Sequence, residues 1–378
     1  MRELFCLPRR TLVLATFAMS LLCAPVATLR ADITIGQTAG FTGDVAGTVR
    51  EITDGAMLLF NDVNARGGVN GQKIVLESMD DKFDPKLAGE NARKLVEEKN
   101  VVALMLSRGT PHSEAVLPVL DKYHLALVAP STGAMVFHKP TKKYVFNIRA
   151  PYAAETDYIV QWFSKVGLNR IAVLYRNDSF GEDGLAGATK GFDKRGISPV
   201  VLERFERVNP NFEHAIAAIV KANADAVLVV GSGKPVATFL DGLRKAGSHA
   251  TLATMSNNAS AEFLKLLDHN ARGAAITQTL PDPGDKRLLL VKEAQALAQK
   301  AGKEMSPAML EGYVAAKVMA EALRRAGAKV TRDSVVEALA GMKSFDMGGV
   351  SISYGPDDHG GLDMVEMSVV GAGGKFTR

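Results

Sequence analysis

The chain has 378 residues, 47% of them hydrophobic and 23% charged, with a formal net charge of +4 and only 2 cysteines. Arg2, Arg9, Arg10 and Arg30 against Glu3 give residues 1–31 a surplus of +3 out of that +4, which leaves the remainder near +1. The basic balance therefore offers no argument for a nucleic-acid or anionic-membrane partner, and the length accommodates two domains of ordinary size.

The chain opens with basic residues, then an apolar run at 11–23 (TLVLATFAMSLLC), then small residues in APVATLRA. That is the layout of a secretory signal peptide. The run is shorter than the roughly 20 residues that span a bilayer. Cleavage is expected after Ala27, Thr28 or Ala31, so residues 1–31 are read as signal. Leu22 rather than a small residue precedes Cys23, which argues against a lipoprotein signal. Both cysteines, Cys6 and Cys23, lie in this segment. An exported chain without them has no disulfide, thiol chemistry or Cys-ligated metal.

From residue 32 the pattern alternates. A β-run at Ile33 and Ile35 stops at a Gly-rich loop (38–47, TAGFTGDVAG). A helix follows, with Val49, Ile52, Ala56, Leu59, Phe60 and Val63 on one face. Gly67, Gly68 and Gly71 turn the chain into a β-run at 73–79. Asp84-Pro85 starts the next helix. β-runs at 101–106 and 125–129 flank a helix opened by Thr110-Pro111. After 144–149 the order resumes: helices at 152–166, 181–195, 212–222, 235–246 and 260–268, with β-runs at 170–175, 199–204, 225–230, 250–254 and 274–277. Three consecutive helices (286–302, 307–326, 332–341) precede a β-like tail, VSISY and MVEMSVV. Such alternation implies α/β structure with parallel sheets. One sheet of ten or more strands is unusually wide, so two doubly wound lobes are expected, with a boundary near 148–152.

Reaction chemistry finds little support. Gly40, Gly43 and Gly47 do not have dinucleotide spacing, and GSGK at 231–234 lacks the P-loop's first Gly and its hydroxyl residue. There is no GxSxG elbow. The histidines are dispersed without metal-site spacing. No catalytic residue, metal or cofactor is expected. Small polar loops remain after the β-runs: Ser107-Arg108-Gly109-Thr110, Ser131-Thr132-Gly133-Ala134, Asn177 to Gly181, Ser232-Gly233 and Ser256-Asn257-Asn258. They fall at the strand ends where α/β folds bind ligands. Hydroxyls and amides without a nucleophile–base pair suit binding without reaction. For any one loop, helix capping is an equal explanation.

Taken in order, ITIGQTAGFTGDVAG, DGAMLLFNDVNARGGVNGQKI, DDKFDP, RIAVLYRNDSFGEDG, DAVLVVG and GYVAAKVMAEAL resemble the periplasmic solute-binding proteins of ABC transporters, of the leucine/isoleucine/valine-binding class. The resemblance covers residues 32–370. It implies two doubly wound parallel-sheet lobes joined by three crossovers, closing on a ligand by a hinge motion. Lobe one would comprise 32–149 plus 278–348, and lobe two 150–277 plus 349–378. It also implies a periplasmic, non-enzymatic, monomeric receptor that hands a small solute to the membrane subunits of a permease.

By the same resemblance, Ser107, Arg108, Gly109 and Thr110 with Ser131, Thr132 and Gly133 would hold a ligand carboxylate. Phe180 would cover the cleft from lobe two. Phe41 belongs to the loop that forms one wall, and Tyr152 lies just past the crossover. Two positions depart from the family pattern. Asn257 stands where a carboxylate usually meets the ligand ammonium, and Ser232 stands where an aromatic is usual. A buried ammonium needs a paired charge. Arg108 is an unusual residue in a carboxylate loop and offers a bidentate contact; the alternative is an arginine that faces solvent. These features favour a small organic acid, aromatic or otherwise, over a branched-chain amino acid. The alternatives are a branched-chain amino acid, or a sensing module for a signalling partner.

Overall fold

The computed structural model describes residues 31–372 and 374–377; apart from Ala31, the signal peptide read at 1–31 lies outside them. The Gly-rich opening stretch forms β1 (Ile33–Ala39), α1 (Ala46–Ala65) and β2 (Ile74–Asp80). Then come α2 (Pro85–Glu97), β3 (Ala103–Met105), α3 (Thr110–Tyr123), β4 (Ala126–Val128) and β5 (Val145–Phe146). Asp84 caps α2 by accepting from the backbone of Lys86 and Leu87, with Pro85 at the first position. The five strands make one parallel sheet in the order β2-β1-β3-β4-β5. β3 and β4 are apolar and buried at every residue, as helices on both faces of a parallel sheet require.

A second series follows: α4 (Tyr152–Lys165), β6 (Ile171–Arg176), α5 (Ser179–Asp193), β7 (Val201–Phe205), α6 (Glu213–Lys221) and β8 (Ala226–Val230). It continues with α7 (Lys234–Lys245), β9 (Thr251–Thr254), α8 (Ala261–Leu267) and β10 (Ala275–Gln278). After α9 (Leu289–Lys300), α10 (Pro307–Arg325) and α11 (Arg332–Ala340) come four short strands: β11 (Phe345–Asp346), β12 (Ser351–Ile352), β13 (Glu366–Val370) and β14 (Phe376–Thr377). The second sheet has seven strands, ordered β14-β13-β10-β9-β8-β6-β7. Only β13 and β14 in it are antiparallel to their neighbours. The molecule is therefore an α/β protein of two parallel-sheet lobes. Among the described residues, no helix is long and apolar enough to cross a membrane.

The tail divides differently from the sequence expectation that everything from 349 joins lobe two. β12 pairs with β11 rather than with the second sheet. Tyr354 Oη donates to the Asn147 carbonyl at 2.7 Å, and His359 stacks on Phe146 with ring centroids 4.2 Å apart. The stretch thus covers β5, the edge strand of the first sheet, whose free edge otherwise invites pairing. Only from β13 does the chain reach the second sheet.

The block of helices joins the first lobe through α10, which packs along α1. α10 is buried almost all round, and its contact with α1 is close enough to need two glycines. A Cβ at Gly55 would lie 1.8 Å from the Met309 carbonyl oxygen, and one at Gly312 would lie 1.7 Å from that of Ile52. Neither backbone can yield cheaply. Gly55→Ala is expected to cost about 3 kcal/mol, read as a lower urea midpoint at unchanged slope. Gly355→Ala, where a Cβ meets nothing within 4 Å, should leave the midpoint in place.

Candidate ligand-binding site

The loops at the carboxyl ends of β3, β4, β6, β8 and β9 converge, as expected for ligand sites in α/β sheets. The loop after β3 is pinned to the loop after β4. Ser131 N donates to the Ser107 carbonyl at 2.7 Å, and Arg108 and Ser131 form a parallel bridge. Gly109 has φ +95, and a Cβ there would approach His112 Nδ1 to 2.8 Å. Ser107 Oγ shares a hydrogen bond with Ser113 Oγ (2.7 Å), and Thr110 Oγ1 shares one with Thr132 Oγ1 (2.8 Å). Gly133 accepts from Tyr152 N at 2.7 Å, which fixes Tyr152 against this loop pair.

Arg108 is 3% exposed, so it does not face solvent. Its Nη1 donates to Ser131 Oγ at 2.9 Å and its Nη2 to the Asn257 carbonyl at 2.6 Å. Ser131 Oγ donates in turn to Glu311 Oε1 on α10 at 2.8 Å. That carboxylate lies 3.6 Å from Arg149 Nη1, and Arg149 Nη2 meets Glu155 on α4 at 3.1 Å. Arg149 Nη2 also donates to Ser256 Oγ, and Ser256 N donates to Glu155 Oε2 at 2.9 Å. Since Asn257 follows Ser256, the chain of contacts closes into a ring. It passes from lobe one through the crossover at Arg149 into lobe two and back to Arg108.

Aromatic side chains and two more arginines lie beside this ring. Tyr152 packs edge-to-face on Phe180 with centroids 5.1 Å apart. The Arg176 guanidinium, at the end of β6, lies 4.8 Å from the Phe180 centroid and 5.7 Å from that of Phe83. Arg207 lies 5.2 Å from Phe83. Arg176 and Arg207 share one carboxylate, Asp178. Phe83 stacks on His112 at 4.4 Å and is held with φ +59, uncommon for an aromatic residue.

The structure brings Arg108, Ser131, Thr132, Tyr152, Phe180, Ser232 and Asn257 to this region. Asn257 Nδ2 donates to Ser232 Oγ (2.9 Å) and to the Gly231 carbonyl (3.1 Å); its Oδ1 is buried with no partner. Phe41 packs instead with Phe83 on Ala39, Val45 and Val49. It is Phe83 that lies among the arginines. Sequence reasoning passed over Phe83, Arg149, Arg176, Arg207, Glu155 and Glu311. Glu311 carried a usable signal: it lies in the otherwise uncharged first half of α10 (307–316), where a buried acid has to be paired.

Burial dominates the electrostatics. It lowers Arg108, against the opposing pull of Glu311, and takes Arg176 down to about 10 despite Asp178. It also pushes His112 down to about 3 and Asp81 up to about 7. Arg149 is raised, because Glu311, Tyr152 and Glu155 together outweigh its burial.

A family model described as periplasmic binding protein matches residues 32–375. The chain belongs to that family. A substrate-binding periplasmic protein from Ralstonia solanacearum is 30% identical, with a TM-score of 0.85, over 91% of this chain and 99% of that one. A Leu/Ile/Val-binding protein from Rhizobium johnstonii is 27% identical over 90% of this chain and 92% of its own. A possible leucine/isoleucine/valine-binding protein from Rhodopirellula baltica shares the fold, with a TM-score of 0.86 at 23% identity over 93% of this chain and 97% of that one. The protein is thus a periplasmic substrate-binding protein of the ABC-transporter type. Its family captures small solutes for membrane permeases rather than catalysing reactions.

In this periplasmic binding protein the two lobes touch at several points. Besides the Arg108 contact, Glu51 of α1 accepts from the backbone N–H of Ala261 (3.1 Å) and Glu262 (2.6 Å) at the start of α8. Thr48 Oγ1 lies 2.8 Å from Ser260 Oγ. His112 supplies a pH test of the buried wall. Its depressed pKa means that the unfolded chain takes up a proton below about 6.5 while the folded chain does not until about pH 3. Its contribution is fully present above 6.5 and is lost as pH falls toward 3. Asp81 has the opposite sign, gaining as pH falls from 7, so the wild-type curve alone is uninformative. The difference between His112→Phe and wild type is expected to move in the variant's favour by about 1.4 kcal/mol per pH unit below 6.5. A difference that does not change with pH in urea titrations would contradict the burial of a neutral His112.

Proposed function

We propose that the solute is a small organic acid with an apolar, preferably aromatic, body, and that its carboxylate is held by Arg108. The observation that carries this reading is the inequality between two neighbouring arginines. Arg149 has two carboxylates within ion-pair distance, whereas Arg108 has none among the described residues and is satisfied only by a hydroxyl and a carbonyl. A buried guanidinium without an acid favours an anionic partner, and its planar fork suits a carboxylate. Tyr152, Phe180 and Phe83 supply aromatic walls beside it.

The reading against a zwitterion rests on the other end of the site. An ammonium group needs a carboxylate free to receive it. Glu155, Glu311 and Asp178 are each engaged by arginines. Asn257 Oδ1 offers one neutral acceptor, suited to a hydroxyl or amide hydrogen. The relatives' names favour the second reading, a branched-chain amino acid, in which Asn257 Oδ1 would have to receive the ammonium without a charge.

A thermal-shift screen of leucine, isoleucine and valine against benzoate-type and aliphatic acids separates the two. At a hundredfold excess over Kd a true ligand adds about 2.7 kcal/mol; the acids are expected to shift the melting point, and a larger shift with valine defeats the organic-acid reading. With the acid that shifts it, Arg108→Ala should lose about 2 kcal/mol of affinity, roughly thirtyfold. Asn257→Asp should weaken the same acid and improve leucine or valine, read by calorimetric titration. An Asn257→Asp protein with unaltered preference would remove Asn257 from the specificity set.

A further inference from the structure

A cavity of about 920 Å³ shares no lining residue with the arginine site. It lies where α8, the end of β10, β13 and β14 meet the segments before and after α9. Its apolar walls include Leu264 and Phe376 on one side and Met305 and Pro307 on the other. The volume is within the range that holds a small ligand, and the junction between lobes is a common place for one.

Gln278 lines this cavity at 4% exposure, and its Nε2 is buried without a hydrogen-bond partner. Strand alternation explains its direction. Thr277, its neighbour on β10, turns to Glu155 in the hinge ring, so Gln278 projects from the opposite face of the sheet. A buried amide donor left unmade is costly, and an acceptor in the cavity would satisfy it. The charges lining the cavity are mostly paired. Lys265, Lys286, Lys303 and Lys375 stand against Asp268, Asp282 and Glu304. Asp268 meets His269, Asp282 accepts from Gly284 N, and Glu304 meets Lys375. Lys265 and Lys303 are answered by Glu262 and Asp54. Lys286 has no acid within ion-pair distance among the described residues. Lys286, Asp268 and Asp282 thus stand without a Lys, Arg or carboxylate partner of opposite charge among the described residues, and what the interior leaves unmatched is a buried donor above apolar walls, which a carboxylate oxygen can satisfy and an ammonium cannot.

We propose that this cavity is a second binding site, for a small amphipathic carboxylate, and that its occupation favours the closed arrangement of the lobes. The coupling follows from the walls. Leu264 and Phe376 move with the second sheet. Met305 and Pro307 lead into α10, which packs on α1. The two sides are joined at the cavity's edge by Ala308 N donating to the Ala259 carbonyl at 3.0 Å. A molecule that touches both sides binds the closed form better than the open one, and it therefore raises affinity in the arginine site by the same factor that the arginine-site ligand raises its own. The proposal does not depend on which solute the arginine site takes.

The test is calorimetric titration of sodium octanoate into the exported chain, with octylamine as the comparator of opposite charge. Saturable octanoate binding is expected, with none for octylamine. Binding should persist in Arg108→Ala, weaken about tenfold in Gln278→Leu, and vanish in Leu264→Trp, which fills the cavity. If Leu264→Trp does not fold, Gln278→Leu and Phe376→Ala decide, and both must weaken binding. Absence of saturable binding overturns the proposal. So does binding that is lost in Arg108→Ala but unaffected by the cavity variants, because the octanoate then occupies the arginine site. A radius of gyration that rises at saturating octanoate, by small-angle scattering, overturns the coupling to closure.

Discussion

A guanidinium taken out of water between two lobes has to be answered by charge or by several acceptors, and this requirement organises the molecule. Arg149 sits in the first crossover between the sheets and is fully buried. It is held by an acid from each side, Glu311 on the first-lobe helix α10 and Glu155 on the second-lobe helix α4. Removing one partner of such a pair leaves an uncompensated buried charge, which is far more costly than the pair is stabilising. The first crossover is therefore tied electrostatically to both lobes at one point.

The binding loops inherit their positions from that point. Glu311 reaches Arg108 through Ser131, and Ser256 carries the Arg149 and Glu155 contacts to Asn257, whose carbonyl returns to Arg108. The polar contacts between the lobes thus form one connected set instead of independent ones. Around it the packing is tolerant of little: α1 and α10 meet at glycines, and Glu51 on α1 grips the first amides of α8. The ring of paired charges, with Arg108 at its rim and with Arg176 and Arg207 sharing Asp178 beside it, is the surface that the proposed anion would meet.

Most of the fold could be read from the chain because its period is carried locally. The alternation of β-runs and helices holds from Ile33 to Gln278 except between β4 and β5, where only a short turn at Met135–Phe137 intervenes, and Asp84-Pro85 starts its helix for a reason visible in two residues. The tail could not be placed in the same way. VSISY is β-like, yet nothing within it says whether it pairs with the second sheet or covers β5, a choice made by Tyr354 and His359 finding Asn147 and Phe146 more than 200 residues earlier. In the site, Arg108 stood out as a charge in a small-residue loop. Arg176 did not, because it ends an ordinary β-run, and Phe83 did not, because its place among the arginines depends on two consecutive residues of positive φ, Lys82 and Phe83. Partnerships between distant charges are a property of the tertiary fold, and apart from Glu311 no local pattern records them.

In the proposed function, the charge at Arg108, which has no acid within ion-pair distance among the described residues, selects an anion without an ammonium group. The most direct measurement is mass spectrometry of the small molecules released by denaturing the protein purified from its native source without refolding. A carboxylic acid that lacks an amine is expected, present near one per chain and depleted in the Arg108→Ala protein. Leucine, isoleucine or valine released at that ratio would contradict it.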